Sequence, residues 1–195
     1  MNIPIFLTLL RIALIPIFVV VFYLPLAWGN VLTTSVFGLA ALTDWFDGYL
    51  ARKWNQTSSF GAFLDPVADK LIIAVVLVLL VQANPTPWMA IPAAIIIGRE
   101  ITISALREWM AEIGQRAQVA VSKVGRIKTV TQMTAVFMLL YHEPLLGLPL
   151  YEIGYISLYI AAILTLWSMM IYIQAAWPRL FKRDENNESK TGPVS

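Results

Sequence analysis

Cysteine is absent from the 195-residue chain. That removes disulfides, thiolate metal sites and cysteine nucleophiles together. Histidine occurs once, at His142, beside Glu143 in a Pro-rich turn, which leaves no pair of imidazoles for a metal and no residue spacing for a Ser–His nucleophile system. Charge is scarce as well: 13% of residues are Asp, Glu, Lys or Arg, against about 25% in an average soluble domain. The net charge of +2 gives no general polyanion-binding signal, and neither a Gly-rich phosphate loop nor a basic patch for nucleic acid is present. What is abundant is apolar surface. Hydrophobic residues make up 58% of the chain, and the mean hydropathy is +0.71. A domain of this size exposes a large share of its surface, so the apolar majority has to face lipid rather than water.

A transmembrane helix needs about 20 mainly apolar residues. Such stretches fall at 4–24, 31–50, 66–83, 88–106, 124–141 and 151–174. The expected fold is therefore an all-α, polytopic membrane protein with six transmembrane helices in a single domain, residues 1–182. Residues 183–195 form a polar tail expected to be disordered and cytoplasmic. The first stretch has no basic residues ahead of it and no small-residue cleavage site, so it reads as a retained span rather than a signal peptide. Segments 25–30, 82–88 and 142–150 contain no Lys or Arg, whereas Arg52, Lys53, Arg107, Arg116, Lys123, Arg126, Arg179, Lys182 and Arg183 all fall on the alternate connections. The positive-inside rule then puts both termini and the two long charged connections, 51–65 and 107–123, in the cytoplasm.

Four of the twelve acidic residues occupy one short window: Asp44 and Asp47 at the end of the second span, Asp65 and Asp69 at the start of the third. Helix positions three or four apart share a face. Asp44, Asp47, Gly48, Ala51 and Arg52 thus form one stripe, and Asp65 and Asp69 another. A short connection makes the two helices antiparallel neighbours, so the carboxylates converge near the cytoplasmic boundary. Clustered carboxylates repel one another unless cations compensate. Oxygen-only donors suit hard cations such as Mg²⁺ or Mn²⁺ shared with substrate phosphate. Gly48 removes bulk from the same stripe, and Arg52 one turn on can fork onto a phosphate. The competing reading is a cation transporter that uses the carboxylates as an ion path. Such a protein carries ionisable groups or broken helices along a transmembrane route, and here the outer halves are nearly free of charge beyond Arg99 and Glu100.

The window reads Asp44-x2-Asp47-Gly48-x2-Ala51-Arg52-x8-Gly61-x3-Asp65-x3-Asp69. This resembles in full the signature of the CDP-alcohol phosphotransferase family. The resemblance extends to the opening Asn2-Ile3-Pro4 with Leu7-Thr8 and Arg11, and to the run Arg99-Glu100 through Ser104–Ala111. These two outer features look like the bacterial branch that uses glycerol 3-phosphate. The resemblance implies a phosphatidyltransferase of the cytoplasmic (inner) membrane, a homodimer, which joins CDP-diacylglycerol to glycerol 3-phosphate and releases CMP in phosphatidylglycerol synthesis. It implies that Asp44, Asp47, Asp65 and Asp69 hold two divalent ions, Mg²⁺ or Mn²⁺, and that Asp69 is also the general base. Gly48, Arg52 and Ser58 are implied contacts of the CDP-lipid, with the segment around Leu7–Leu10 near the nucleotide. Another acceptor (phosphatidylglycerol, inositol phosphate or serine) would use the same carboxylate signature.

Glycerol 3-phosphate is a dianion, so its site needs cations. Arg107 ends the fourth span, and Lys123, Arg126 and Lys128 open the fifth. Arg107, Lys123 and Lys128 are the expected acceptor-phosphate residues. Lys123 and Arg126 also fit the alternative of snorkelling anchors at the membrane surface. Lys128 shares a stripe with Gly125 and Gln132, and Arg99 in mid-span is expected to face the bundle as the partner of a carboxylate. Trp88 and Trp177 fall at span ends, as interfacial aromatic residues do. The small residues Ala90, Ala93, Ala94 and Gly98 would permit close helix approach.

Overall fold

The computed structural model describes residues 3–54, 59–112 and 123–188. These form six helices: α1 (Ile3–Tyr23), α2 (Gly29–Trp54), α3 (Ser59–Ala83), α4 (Pro87–Glu112), α5 (Lys123–Tyr141) and α6 (Leu150–Glu188). No strand occurs among the described residues. Three stretches are long and apolar enough to cross a membrane, Phe6–Tyr23, Pro87–Glu112 and Leu150–Gln174, and α5 adds the shorter apolar segment Ile127–Tyr141. α6 continues as helix through residues 183–188, into the segment expected to be a polar tail. Those residues are polar without being helix-breaking, and the first strong breaker is Gly192-Pro193. Residues 189–195 lie outside the described residues.

The turns at one end of the bundle are set by local chemistry. α3 stops ahead of Pro85, and α4 begins at Pro87, where the missing N–H costs nothing because first-turn donors have no partner within the helix. Thr86 caps it: the Met89 N–H lies 3.3 Å from the Thr86 hydroxyl, and the Ala90 N–H donates to the Thr86 carbonyl at 3.0 Å. α5 ends at Tyr141, with His142 in the left-handed region (φ 61°). A tight turn follows in which Leu145 and Leu148 exchange backbone hydrogen bonds. Within α2, Thr33, Thr34 and Ser35 each donate to the carbonyl four residues back at 2.7 Å, so hydroxyls in an apolar setting are satisfied inside their own helix.

α1 packs on α2 and α3, α5 on α6 and α2, and α4 on α6 and α3. Phe18, Phe37, Val76, Leu77, Ile96, Val136 and Leu158, drawn from all six helices, form the buried centre. Phe37 and Phe137 meet edge to face at 5.0 Å, joining α2 to α5. The outer faces are apolar too: Val20, Val78, Ile101, Ile156, Ile163 and Trp167 are all exposed, a distribution that suits a lipid solvent and not an aqueous one. Trp88 is exposed at the first turn of α4.

The closest helix approach described at a glycine is at Gly154, on α6. A Cβ there would stand 2.8 Å from Met138 Cβ and 3.1 Å from the Leu139 nitrogen, so α5 and α6 touch backbone to backbone. The small-residue stripe on α4 is less closely packed within the chain. Ala93 is buried, but Ala94 is exposed and Gly98 has nothing within 4 Å of where a Cβ would be. Gly154→Ala is therefore expected to lower stability by about 1–3 kcal/mol, the usual cost of overpacking. Gly98→Ala is expected to be neutral or to add up to about 1 kcal/mol through helix propensity. Thermal unfolding of both variants in detergent checks this; equal midpoints would contradict the close contact.

Candidate active site

α2, α4 and α6 end, and α1, α3 and α5 begin, at the end of the bundle that carries the charged connections. The functional residues lie at this end because of that up-and-down order. Asp44 comes late in α2, Asp65 and Asp69 early in α3, Arg107 late in α4 and Lys128 early in α5. A pocket of about 360 Å³ opens between them. One wall is Asp44, Asp65, Pro66, Asp69, Lys70 and Ile73, from α2 and α3. The other is Glu100, Arg107, Lys128, Thr129, Gln132 and Met133, from α4 and α5. Acidic residues from α2 and α3 and basic residues from α4 and α5 thus line one pocket.

The acidic wall is tied together from α1. Arg11 is 1% exposed, and its Nη1 lies 3.1 Å from Asp44 Oδ1 and also donates to Asp69 Oδ1. Thr8, one turn earlier on the same face, donates to Asp65 Oδ1 at 2.5 Å. A buried guanidinium in an apolar bundle persists only if paired, and here it bridges two half-exposed carboxylates from different helices. The sequence placed Thr8 only within the Leu7–Leu10 segment near the nucleotide and gave Arg11 no role at the site. The available signal was that Arg11 is the single charged residue of α1, and an ionisable group within an apolar span is functional by default.

The basic wall has its own pairing. Lys128 is buried and its ammonium donates to Glu100 Oε1, which also receives Arg99 Nη1 at 3.1 Å. Arg99 Nη2 reaches across to Ser168 of α6 at 3.0 Å. Arg99 thus faces the bundle with a carboxylate partner, as its mid-span position requires. Arg107 Nη2 donates to the Tyr172 hydroxyl at 2.9 Å. Gln132, one turn beyond Lys128, is buried along the same stripe. Glu100, Lys70 and Gln132 line the pocket without having been singled out for it, because nothing in their local spacing distinguishes them from helix-face residues.

Several expected site residues fall where side chains are not described. α2 runs unbroken through Asp47, Gly48 and Arg52, and α5 begins at Lys123, but the side chains of Asp47, Arg52 and Lys123 lie outside the described residues, as does Ser58 entirely. Among the described residues no group of three acidic or imidazole side chains is gathered closely enough to hold a metal. The donor set present still suits a hard divalent ion. It offers carboxylate oxygens alone, and Asp44 and Asp69 already converge on one positive nitrogen of Arg11. His142 is remote from this pocket. With Asn30, Asn84 and Tyr151 it lines a second cavity, of about 260 Å³, at the opposite helix ends, where its ring stands 4.4 Å from that of Tyr151.

Comparison with known proteins converges on the same chemistry. The sequence model of the CDP-alcohol phosphatidyltransferase family matches residues 1–167. A protein of Pectobacterium atrosepticum named CDP-diacylglycerol–glycerol-3-phosphate 3-phosphatidyltransferase is 57% identical over 175 residues, covering 90% of this chain and 94% of its own. Proteins of the same name from Salmonella typhimurium, 53% identical over the same shares, and Yersinia pestis strain Nepal516, 53% identical over 93% of this chain and 98% of theirs, are similar along the same length. With the family model spanning most of the chain and relatives above half identity over about nine-tenths of it, the protein belongs to the CDP-alcohol phosphatidyltransferase family.

Proposed function

We infer that the chain transfers the phosphatidyl group from CDP-diacylglycerol to glycerol 3-phosphate, giving phosphatidylglycerophosphate and CMP. The observation that carries this reading is the two-walled pocket, with Asp44, Asp65 and Asp69 opposite Arg107 and Lys128, in a chain whose relatives bear that activity in their names. The reaction needs those two characters side by side. An activated diphosphate must be held with its negative charge neutralised, and a dianionic acceptor must be brought to it.

Asp44, Asp47, Asp65 and Asp69 would hold divalent cations, Mg²⁺ or Mn²⁺ and two in number. Bound there, such ions supply neutralisation of the diphosphate oxygens and of the departing CMP. Gly48, Arg52 and Ser58 would lie against the CDP-lipid. Arg107, Lys128 and Lys123 would bind the acceptor phosphate, Arg107 with the planar fork that matches phosphate oxygens. Asp69 lines the pocket and would accept the proton of the attacking acceptor hydroxyl. As that oxygen bonds to the phosphatidyl phosphorus, the phosphorus–oxygen bond to CMP breaks, and CMP leaves with the electron pair. A carboxylate within hydrogen-bond reach of the hydroxyl is the group this step requires.

The surrounding assembly follows from the same reading. All six helices would span the bacterial inner membrane, α3 through residues 66–83, with both termini and the pocket cytoplasmic, and two copies would form a homodimer. The basic connections at the pocket's end and the Lys- and Arg-free turns at the other support that orientation.

Purified protein assayed with CDP-diacylglycerol, Mg²⁺ or Mn²⁺ and separate acceptors tests the proposal. CMP release is expected with glycerol 3-phosphate. Release with serine, inositol phosphate or phosphatidylglycerol instead would overturn the acceptor assignment, and release with none of them would overturn the enzyme reading. Asp69→Asn is expected to cut turnover by about a hundredfold or more, the size of a general-base contribution, while CDP-diacylglycerol still binds. Activity within about tenfold of the parent would refute the base role.

A further inference from the structure

Arg107 is exposed near the end of α4, and a long cationic side chain in that setting samples many rotamers. Its orientation comes from another helix. Tyr172 of α6 accepts a hydrogen bond from Arg107 Nη2 at 2.9 Å, and the Arg107 guanidinium carbon stands 5.2 Å from the centroid of the Tyr172 ring. Both lie within the range of a hydrogen bond and of a cation–π contact. The ring is itself located: the Arg99 guanidinium carbon stands 5.8 Å from the same centroid, and Arg99 is anchored to Ser168, one turn before Tyr172 on α6. Tyr172 thus serves both arginines of α4, and α4 and α6 pack directly against each other.

We propose that Tyr172 is a positioning residue that fixes the Arg107 guanidinium to receive the phosphate of the acceptor. This rests on the reading above that Arg107 binds that phosphate. Arg107 lines the pocket and Tyr172 does not, so Tyr172 acts through Arg107 rather than on substrate. Arg recognises phosphate with a planar fork whose direction matters. Fixing the plane before the ligand arrives lowers the conformational entropy lost on binding. Lys128 is held differently: its partner Glu100 lies within the pocket, where its charge acts on any bound anion directly. The hydroxyl and ring of Tyr172 carry no net charge, so they can aim Arg107 without neutralising it.

Steady-state kinetics of the full chain in detergent, with each substrate varied in turn, tests this. Tyr172→Phe keeps the ring and removes the hydroxyl; Tyr172→Leu removes both. The KM for glycerol 3-phosphate is expected to rise about three- to tenfold in Tyr172→Phe and further in Tyr172→Leu. The KM for CDP-diacylglycerol and the Mg²⁺ dependence are expected to stay unchanged. Arg107→Ala is expected to raise the glycerol 3-phosphate KM, and adding Tyr172→Phe to it should change nothing more, because the group being aimed is gone. A Tyr172→Phe effect that persists at full size on top of Arg107→Ala would overturn the proposal, as would an unchanged KM in Tyr172→Phe when Arg107→Ala raises it. If Arg107→Ala itself leaves that KM unchanged, the acceptor-site reading fails, and the role of Tyr172 falls with it. Should Tyr172→Leu fail to accumulate in the membrane, Tyr172→Phe alone decides the matter.

Discussion

One buried guanidinium organises the acidic half of the molecule. Arg11 sits on the first helix, shielded from solvent, and reaches both Asp44 on α2 and Asp69 on α3. In a bundle otherwise closed by apolar contacts, a charge in this position imposes a condition that hydrophobic packing does not. Its partners must arrive at one depth, in one register. Burial of Phe18, Phe37 and Val76 tolerates sliding of one helix along another, whereas a guanidinium shared between two carboxylates does not. Thr8 adds a third tie, to Asp65, from the same face of α1. The same arrangement keeps carboxylates that repel one another side by side, which a site for hard cations requires.

Across the pocket the logic is repeated with the opposite sign. Lys128 and Arg99 share Glu100, and Arg107 rests on Tyr172. Every helix therefore brings at least one polar side chain to the same end of the bundle: α1 meets α2 and α3 through Arg11, Thr8 and the aspartates, α4 and α5 meet through Glu100 and Lys128, and α4 and α6 through Arg99, Ser168 and Tyr172. The scarcity of charge in the composition is thus a matter of placement. In a lipid-facing protein each ionisable group within a helix needs a partner, and here the pairs converge on the pocket.

Much of this was legible in the sequence. Each apolar stretch falls inside its own helix, but for Leu24 one residue past α1, and Pro85 with Pro87, and Pro144 through Pro149, mark two of the turns, because hydropathy and proline act locally. The Asp44–Asp69 spacing located the acidic wall, since helical periodicity alone decides which residues share a face. What remained hidden depends on contacts between residues far apart in the chain. Arg11 and Asp69 are 58 positions apart, Arg107 and Tyr172 65, and no local pattern links them. Among the glycines described, the tightest approach is at Gly154, which no local pattern marks, because a small residue permits contact without specifying which neighbour comes close. The reach of α6 to Glu188 follows from helix continuity, which a hydropathy window that stops at the membrane surface does not register.

The central claim is that the two walls serve two different substrates. Steady-state kinetics of Lys128→Gln with both substrates varied tests it most directly, since this change removes a cation from the basic wall and leaves the acidic wall intact. The account predicts that the KM for glycerol 3-phosphate rises about tenfold or more, as expected when a charge-assisted contact to phosphate is lost, while the KM for CDP-diacylglycerol stays within about twofold of the parent. A rise in both by the same factor, or in that for CDP-diacylglycerol alone, would contradict the division of the pocket.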